Sequence, residues 1–185
     1  MRVIAGSARR INLVTPTGPH TRPTTDRIKE TLFNIIQGEI PDSRFLDLFA
    51  GSGGIGIEAQ SRGAILAVFV DSDSQALACI RENLRRTRFG EKSEVYGTDA
   101  RRAVSRFAVD GRQFDIIFVD PPYQADYEEI LNSVQRGGLL APEGVIIAEM
   151  DIDRSLSLSE EIFSIDREKE YKTNKHVFIS VRGNE

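Results

Sequence analysis

The tetrapeptide Asp120-Pro121-Pro122-Tyr123 places a carboxylate, proline carbonyls and an aromatic ring at the end of an apolar run. The run, residues 114–119, is hydrophobic enough for a strand buried on both faces of a parallel sheet. Ligands of such sheets bind at the carboxyl ends of the strands. Prolines lack an N–H donor, so the carbonyls of Asp120 and Pro121 stay available as acceptors. The motif predicts a site that holds a planar group carrying an NH2, with no nucleophile for hydrolysis.

A glycine-rich loop follows the first predicted core strand. Gly51, Gly53 and Gly56 have the G-x-G-x-x-G spacing at the point where a strand ends and a helix begins. Glycines there allow a tight turn and let backbone N–H groups approach a ligand. Asp71 lies 20 residues after Gly51, at the end of a second apolar run, where it can accept hydrogen bonds from ribose hydroxyls. These features suit NAD and S-adenosylmethionine equally, so the loop alone leaves both open.

Two further carboxylates favour S-adenosylmethionine over NAD. Asp47 lies four residues before Gly51. A carboxylate there suits a ligand with an amino group and a sulfonium, and it is a poor neighbour for a pyrophosphate. Asp99 follows the third predicted strand, where it can accept from an adenine amine, cap the next helix, or do both.

The order of the segments predicts how these residues are positioned. Strands are expected near 44–49, 65–71, 93–97, 114–119 and 144–149, and helices near 54–62, 73–88, 99–108 and 125–136. This alternation indicates an α/β protein with a Rossmann-like, doubly wound and mainly parallel sheet.

Both ends of the chain depart from that alternation. Residues 162–165 and 176–181 form two strand patterns with no helix between them, which predicts a C-terminal antiparallel hairpin. Residues 2–6 and 10–14 predict a short N-terminal β-hairpin extension. A helix is expected after Thr24 or Thr25, either of which can cap it.

Length and composition indicate one domain, residues 1–185, in which 1–23 form a basic extension and 24–185 a cofactor-binding and catalytic core. Neither a membrane-length apolar run nor a signal-peptide pattern is present, which predicts a cytoplasmic protein. The single cysteine, Cys79, excludes an internal disulfide and a multi-cysteine metal site. We expect no metal.

The distribution of charge indicates a polyanionic partner although the net charge is −4. Residues 1–29 carry six cations and one acidic residue, and residues 81–102 carry seven cations and four acidic residues. Such local surfaces can meet RNA while the rest of the protein stays acidic. An ordinary solvated helix face explains 81–102 equally well.

With these motifs the chain resembles class I S-adenosylmethionine-dependent methyltransferases that act on amino groups. It is most similar to the RsmD-type 16S rRNA guanine-N2 methyltransferases. The resemblance covers nearly the whole length and is carried by residues 2–6 with Arg9, 22–34, 47–53 and 120–123. One departure is Tyr171, which is followed by Lys172 where the family usually has glycine.

The resemblance implies S-adenosyl-L-methionine as the cofactor and the N2 amine of guanine 966 in 16S rRNA as the substrate, within a small-subunit ribonucleoprotein and without membrane or metal. The target base would be single-stranded or flipped out. The implied catalytic residues are Asp120, Pro121 and Tyr123. The implied cofactor contacts are Asp47, Phe49, Ala50, Gly51, Ser52, Gly53, Asp71, Ser72, Asp99, Ala100 and Asp120. The expected RNA contacts are Arg2, Arg9, Arg10, Arg22 and Tyr123.

The residues alone leave other functions open. An amino methyltransferase acting on another nucleic acid, a protein or a small molecule would share the Asp120 tetrapeptide. An NAD-dependent dehydrogenase would use the glycine loop, but it has no need of that tetrapeptide.

Overall fold

A seven-stranded sheet organises the part of the chain that the computed structural model describes, residues 1–17, 25–122 and 124–183. The strands are β1 (Arg44–Asp47), β2 (Leu66–Asp71), β3 (Ser93–Gly97), β4 (Phe114–Val119), β5 (Leu140–Asp151), β6 (Phe163–Glu170) and β7 (Asn174–Val181). Their order across the sheet is β3-β2-β1-β4-β5-β7-β6. The first five pair in parallel, and β7 is antiparallel to both β5 and β6. The predicted Rossmann-like fold with a C-terminal antiparallel hairpin is confirmed.

Every helix after the first begins in the loop that follows a strand, and a polar side chain caps four of the five described helices. They are α1 (Asp26–Ile35), α2 (Gly54–Ser61), α3 (Ser74–Thr87), α4 (Ala100–Val109) and α5 (Tyr127–Arg136), with a 3-10 turn at Gly90–Lys92. Thr25 caps α1, as predicted, and Asp73, Asp99 and Asp126 cap the last three helices. Because α3, α4 and α5 follow β2, β3 and β4, these caps bring carboxylates to the same edge of the sheet. No helix of the described ranges is long and apolar enough to cross a membrane.

Alternate residues of the central strands pack against different helices. Leu46 and Val68 face α4 and α5, whereas Phe45 and Phe69 face α1, α2 and α3. Successive side chains of a strand point to opposite faces of the sheet, and helices cover both faces. The central strands are therefore continuously apolar in sequence.

Two strands are longer than predicted. β5 begins at Leu140 rather than near residue 144, and its register against β4 shifts after the Leu140 pair. Glu143, with a φ of 61°, lies in this irregular stretch, which hides the strand from a simple hydrophobic pattern. β6 continues to Glu170 through charged residues, because an edge strand can keep polar side chains in solvent.

The N-terminal hairpin is less regular than predicted. Val3 N donates to the Ile11 carbonyl and Arg10 N to the Val3 carbonyl, but within the described residues the hairpin has a single isolated β-bridge, between Arg2 and Asn12. The turn of the hairpin bonds to α2 instead of extending a ladder. Ser7 N donates to the Ser61 carbonyl at 2.8 Å and Ala8 N to the Ser61 hydroxyl at 2.9 Å. Side chains and backbone of α2 therefore replace strand pairing in this segment.

Candidate active site

A cleft of about 1070 Å³ opens at the carboxyl end of the parallel strands. Its walls are formed by residues that end or follow β1 to β5, together with parts of the N-terminal segment and α1. Nearly all the predicted cofactor residues contribute to its lining, namely Asp47, Phe49, Ala50, Gly51, Ser52, Asp71, Ser72, Asp99, Ala100 and Asp120. The topology thus brings together residues that lie up to 73 positions apart in the sequence.

The glycine loop between β1 and α2 is a tight turn. Gly51 and Gly53 have φ angles of 53° and 76°, which residues other than glycine rarely adopt. Gly53 N donates to the Ala50 carbonyl at 2.7 Å and so closes the turn. Gly56 lies against the ring of Phe69, where a Cβ atom would come within 2.4 Å of the ring. The third glycine therefore serves the packing of α2 on β2, and the first two shape the turn beside the cleft.

Asp47 is buried at the end of β1, directly beneath this loop. Its Oδ2 accepts a hydrogen bond from the backbone N–H of Gly56 at 3.1 Å. Burial raises the pKa of Asp47 to about 7; the Gly56 hydrogen bond opposes this shift and the nearby Asp71 carboxylate adds to it. With a pKa of about 7, Asp47 is only partly ionised at neutral pH. A cationic ligand in the cleft would favour its ionised form, because opposite charges attract.

Asp71 and Asp99 are fixed by backbone donors on either side of the cleft. Asp71 accepts from Gly51 N and from Asp73 N, both at 2.8 Å. Asp99 caps α4 by accepting from Arg101 N at 2.9 Å while it lines the cleft, so its capping role is confirmed. Ala100 follows at the buried start of α4 and Ser72 is exposed after β2. Two carboxylates held in this way beside one cleft can accept from the hydroxyls and amine of a nucleoside.

The tetrapeptide follows β4 and forms the next wall of the cleft. Asp120 is open to the cleft, but protein atoms surround it on most sides. This desolvation, with the charges of Glu149 and Asp47, raises the pKa of Asp120 well above its ordinary value. Pro121 is buried and lines the cleft, and the Pro122 carbonyl accepts from Ala125 N at 2.8 Å. Tyr123 lies outside the described residues.

A polar group beside Asp120, centred on Glu149, was not predicted from the sequence. Glu149 accepts from Asn174 Nδ2 at 2.6 Å, and its Oε2 lies 3.0 Å from His176 Nε2. His176 is fully buried, and its Nδ1 lies 3.0 Å from the hydroxyl of Tyr171. Burial is the main reason that the pKa of Tyr171 rises to about 12, and the charge of Glu149 adds to the shift. The available signal was Glu149 itself, a charged residue within the apolar run 144–150.

The predicted RNA contacts are spread over the surface. Arg2 pairs with Asp26 at 2.8 Å, while Arg9 and Arg10 are exposed at the turn of the N-terminal segment. That turn contacts Ser61 at the far end of α2, about 12 Å of helix away from the glycine loop. Arg22 lies outside the described residues. Arg101, which belongs to the second basic segment, lines the cleft.

No cluster of three or more histidine, cysteine or acidic side chains suited to a metal ion occurs within residues 1–17, 25–122 and 124–183.

Comparison with known proteins identifies relatives over most of the chain. The model of the family described as "Conserved hypothetical protein 95" matches residues 1–180. The Bacillus subtilis protein YlbH is 41% identical over 163 residues, which cover 88% of each chain. The Escherichia coli K12 protein named "Ribosomal RNA small subunit methyltransferase D" is 37% identical over 170 residues, 91% of this chain and 84% of that one.

A solved structure is similar over the full length. The structure of Escherichia coli yhhF superposes with a TM-score of 0.85 at 31% identity and covers 100% of this chain and 99% of that one. The resemblance inferred from residues 2–6 with Arg9, 22–34, 47–53 and 120–123 is therefore confirmed. The chain belongs to the "Conserved hypothetical protein 95" family, the RsmD family of methyltransferases.

Proposed function

We propose that this protein transfers a methyl group from S-adenosylmethionine to the exocyclic N2 amine of guanine 966 in 16S rRNA, presented in a small-subunit ribonucleoprotein. The observation that carries the proposal is that Asp120 and Pro121 open on the same cleft as the Gly51 loop. Family membership and the Escherichia coli relative, named for the small ribosomal subunit, support RNA as the substrate.

The donor-binding part of the cleft consists of the loop and the carboxylates around it. When bound, S-adenosylmethionine supplies a methyl group activated by its positively charged sulfur. Asp47 and the loop from Phe49 to Gly53 would hold the amino acid end, where the buried carboxylate offsets the cationic charge. Asp71 and Ser72 would bind the ribose, and Asp99 with the backbone of Ala100 the adenine.

The acceptor part of the cleft is formed by the tetrapeptide. The Asp120 carboxylate and the Pro121 carbonyl would accept the two hydrogens of the guanine amine, and Tyr123 would stack on the base. A base in a duplex cannot reach a reactive group inside a cleft, so the target guanine would be flipped out or single-stranded when it binds.

The chemistry needs position and proton acceptance rather than a strong base. The guanine amine is a weak nucleophile because its lone pair is delocalised into the ring. Two acceptors on its hydrogens favour a pyramidal nitrogen with the lone pair directed at the methyl carbon. Once methylated, the amine would carry a positive charge and would have to lose a proton. Asp120, with its raised pKa, is suited to receive that proton.

We further propose that the protein is a single domain and is cytoplasmic. The basic segment 1–23, with the exposed Arg9 and Arg10, would contact RNA outside the cleft. Since their turn lies at the far end of α2, they would bind phosphates remote from the target base.

A transfer assay tests the proposal. Small subunits from cells that lack the gene are incubated with the protein and methyl-labelled S-adenosylmethionine, and the RNA is digested to nucleosides. We expect the label in N2-methylguanosine at guanine 966, and none with the Asp120→Ala variant. Label on adenine, on protein or at another guanine would overturn the assignment of the substrate.

A further inference from the structure

A second carboxylate stands beside Asp120 where two parallel strands end. Val119 of β4 pairs with Ala148 of β5, so the next residues along, Asp120 and Glu149, are neighbours at the mouth of the cleft. Both line the cleft, and the charge of Glu149 contributes to the raised pKa of Asp120. Whatever group Asp120 binds therefore lies within reach of Glu149 as well.

Donors on β7 fix the orientation of Glu149. Asn174 Nδ2 donates to its Oε1 at 2.6 Å, and His176 Nε2 lies 3.0 Å from its Oε2. Glu149 is directly opposite His176 in the β5–β7 register, and the Tyr171 hydroxyl contacts the other ring nitrogen of His176. Each carboxylate oxygen has two lone pairs, so this anchoring leaves acceptor capacity for a ligand. The carboxylate is thus both fixed and able to accept from the cleft.

We propose, on the basis of the function proposed above, that Glu149 determines base specificity by accepting the ring N1–H of the target guanine. Guanine presents its N2 amine, N1–H and O6 in sequence along one edge. With the amine on Asp120 and Pro121, the N1–H faces the neighbouring acceptor. A base with a bare N1 lone pair meets the carboxylate lone pairs instead, and such a mismatch strongly disfavours binding.

A donor in the same part of the cleft complements O6. The Arg154 guanidinium lies 4.5 Å above the ring of Tyr127, whose hydroxyl donates to the Glu149 backbone carbonyl at 2.7 Å. Arg154 lines the cleft, and its Nη2 lies 3.6 Å from the Glu128 carboxylate. A guanidinium has five N–H donors, so donors remain for a ligand. Guanidinium groups are common partners of guanine O6. The cleft would then offer acceptors for the N2 and N1 hydrogens and a donor for O6. This arrangement is complementary to the donor, donor and acceptor groups along that edge of guanine.

The test uses 2-aminopurine, which keeps an amine at C2 but has a bare N1 and no O6. Small-subunit RNA carrying guanine or 2-aminopurine at the target position is prepared by ligation, and kcat/KM is measured for both. We expect the wild-type protein to prefer guanine by about 100-fold. Glu149→Gln should lower this preference by about 10-fold or more, because its carboxamide can donate to the bare N1.

A change in the preference, rather than in overall activity, distinguishes this role from a structural one. Glu129→Gln, on the exposed face of α5 where Glu129 pairs with Arg136, is the matched control and should leave the preference unchanged. Stabilisation by S-adenosylhomocysteine verifies that each variant is folded with an intact donor site. An unchanged preference in a folded Glu149→Gln variant overturns the inference.

A variant that does not fold and a wild-type protein without activity are two further outcomes, and each has its own interpretation. If Glu149→Gln does not fold, Asn174→Ala, which removes one anchor of the carboxylate, should lower the preference several-fold, and an unchanged preference there also counts against the inference. If the wild-type protein transfers no methyl group to guanine-containing RNA, the proposed function fails first and this inference with it.

Discussion

The Asp47 carboxylate lies 3.1 Å from the backbone N–H of Gly56, and this hydrogen bond links the end of β1 to the first turn of α2. This hydrogen bond lowers the pKa of Asp47, but the effect of burial is larger and raises that pKa to about 7. The free protein therefore holds a partly protonated carboxyl group under the donor loop at neutral pH. Two predictions follow from this one contact.

Asp47→Asn is expected to stabilise the ligand-free protein at high pH. The folded-state pKa of about 7 lies above the unfolded value of about 3.9, so the stability contribution of the proton is present below pH 4 and lost as pH rises through 7. At pH 8 the variant should be more stable by about 2–4 kcal/mol, since Asn keeps the acceptor for Gly56 N without the charge. Urea unfolding at pH 5 and pH 8 measures this. Equal effects at both pH values would contradict it.

S-adenosylmethionine binding is expected to release protons near neutral pH. A cationic ligand favours the ionised form of Asp47, so affinity should rise between pH 6 and pH 8, by about tenfold at most per pH unit. Calorimetry in two buffers of different ionisation enthalpy detects the proton release. Asp47→Asn should remove most of it, whereas Asp120→Asn, which changes the other carboxyl group with a raised pKa, should retain the Asp47 part.

Asp120→Ala is expected to abolish methyl transfer without loss of donor binding. The variant removes one of the two acceptors for the amine and the proton acceptor, so kcat should fall by about 100-fold or more. Calorimetry should still show S-adenosylmethionine binding, because Asp47, Asp71 and the loop are unchanged. Lost donor binding or near-normal turnover would exclude the acceptor role.

Glu58→Ala is expected to release the N-terminal segment and to destabilise the fold. Glu58 is fully buried, bonds Ile4 N at 2.8 Å and Ala5 N at 3.0 Å, and pairs with the buried Lys29 at 3.3 Å. Burial lowers the pKa of Lys29 although Glu58 opposes the shift. Loss of Glu58 leaves that amine without its carboxylate, which costs about 3–5 kcal/mol.

Urea unfolding and limited proteolysis of residues 1–14 measure the effect. Glu82→Ala is the matched control, because Glu82 pairs with Arg85 and Arg86 at the surface, and it should show no measurable change. Equal stability of the Glu58 and Glu82 variants would show that the buried network does not hold the segment.

Reversal of Arg9 and Arg10 is expected to weaken RNA binding and its salt dependence. Each lost phosphate contact should reduce the slope of log K against log salt by about 0.7–0.9. Filter binding across a salt series measures the slope. Reversal of Arg167 and Lys169 on β6, at the opposite edge of the sheet, is the control. If both double variants behave alike, the basic turn is not an RNA surface.

The sequence predicted that Asp47, Asp71 and Asp99 lie close together, but it did not predict the polar group around Glu149. Asp47, Asp71 and Asp99 each end or follow a strand, and parallel strands bring such positions to one edge, so their convergence follows from the pattern. Glu149 also ends a strand, but its partners Asn174 and His176 lie on β7, which runs antiparallel to β5. Which residues meet across that pair depends on register, and local pattern does not determine the register between distant strands.

An irregular backbone and a long-range contact account for two other features that the sequence did not predict. β5 was predicted to begin near residue 144, but it begins at Leu140, and its irregular register against β4 accommodates Pro142 and Gly144. The pairing of Glu58 with the N-terminal backbone is a tertiary contact over 54 residues of sequence. A glutamate on a helix is usually exposed, so no local signal marked its burial.

The carboxyl groups that line the cleft have one more consequence. Within the described residues they are eight, against two guanidinium groups from Arg101 and Arg154: Asp47, Asp71, Asp73, Asp99, Asp120, Asp126, Glu149 and Asp151. Free guanosine triphosphate would bring its own charged phosphates against these groups, whereas an extruded base can leave its backbone phosphates at the rim. Under the proposed function, the same carboxylates that would hold the amine would therefore disfavour the binding of free guanine nucleotides.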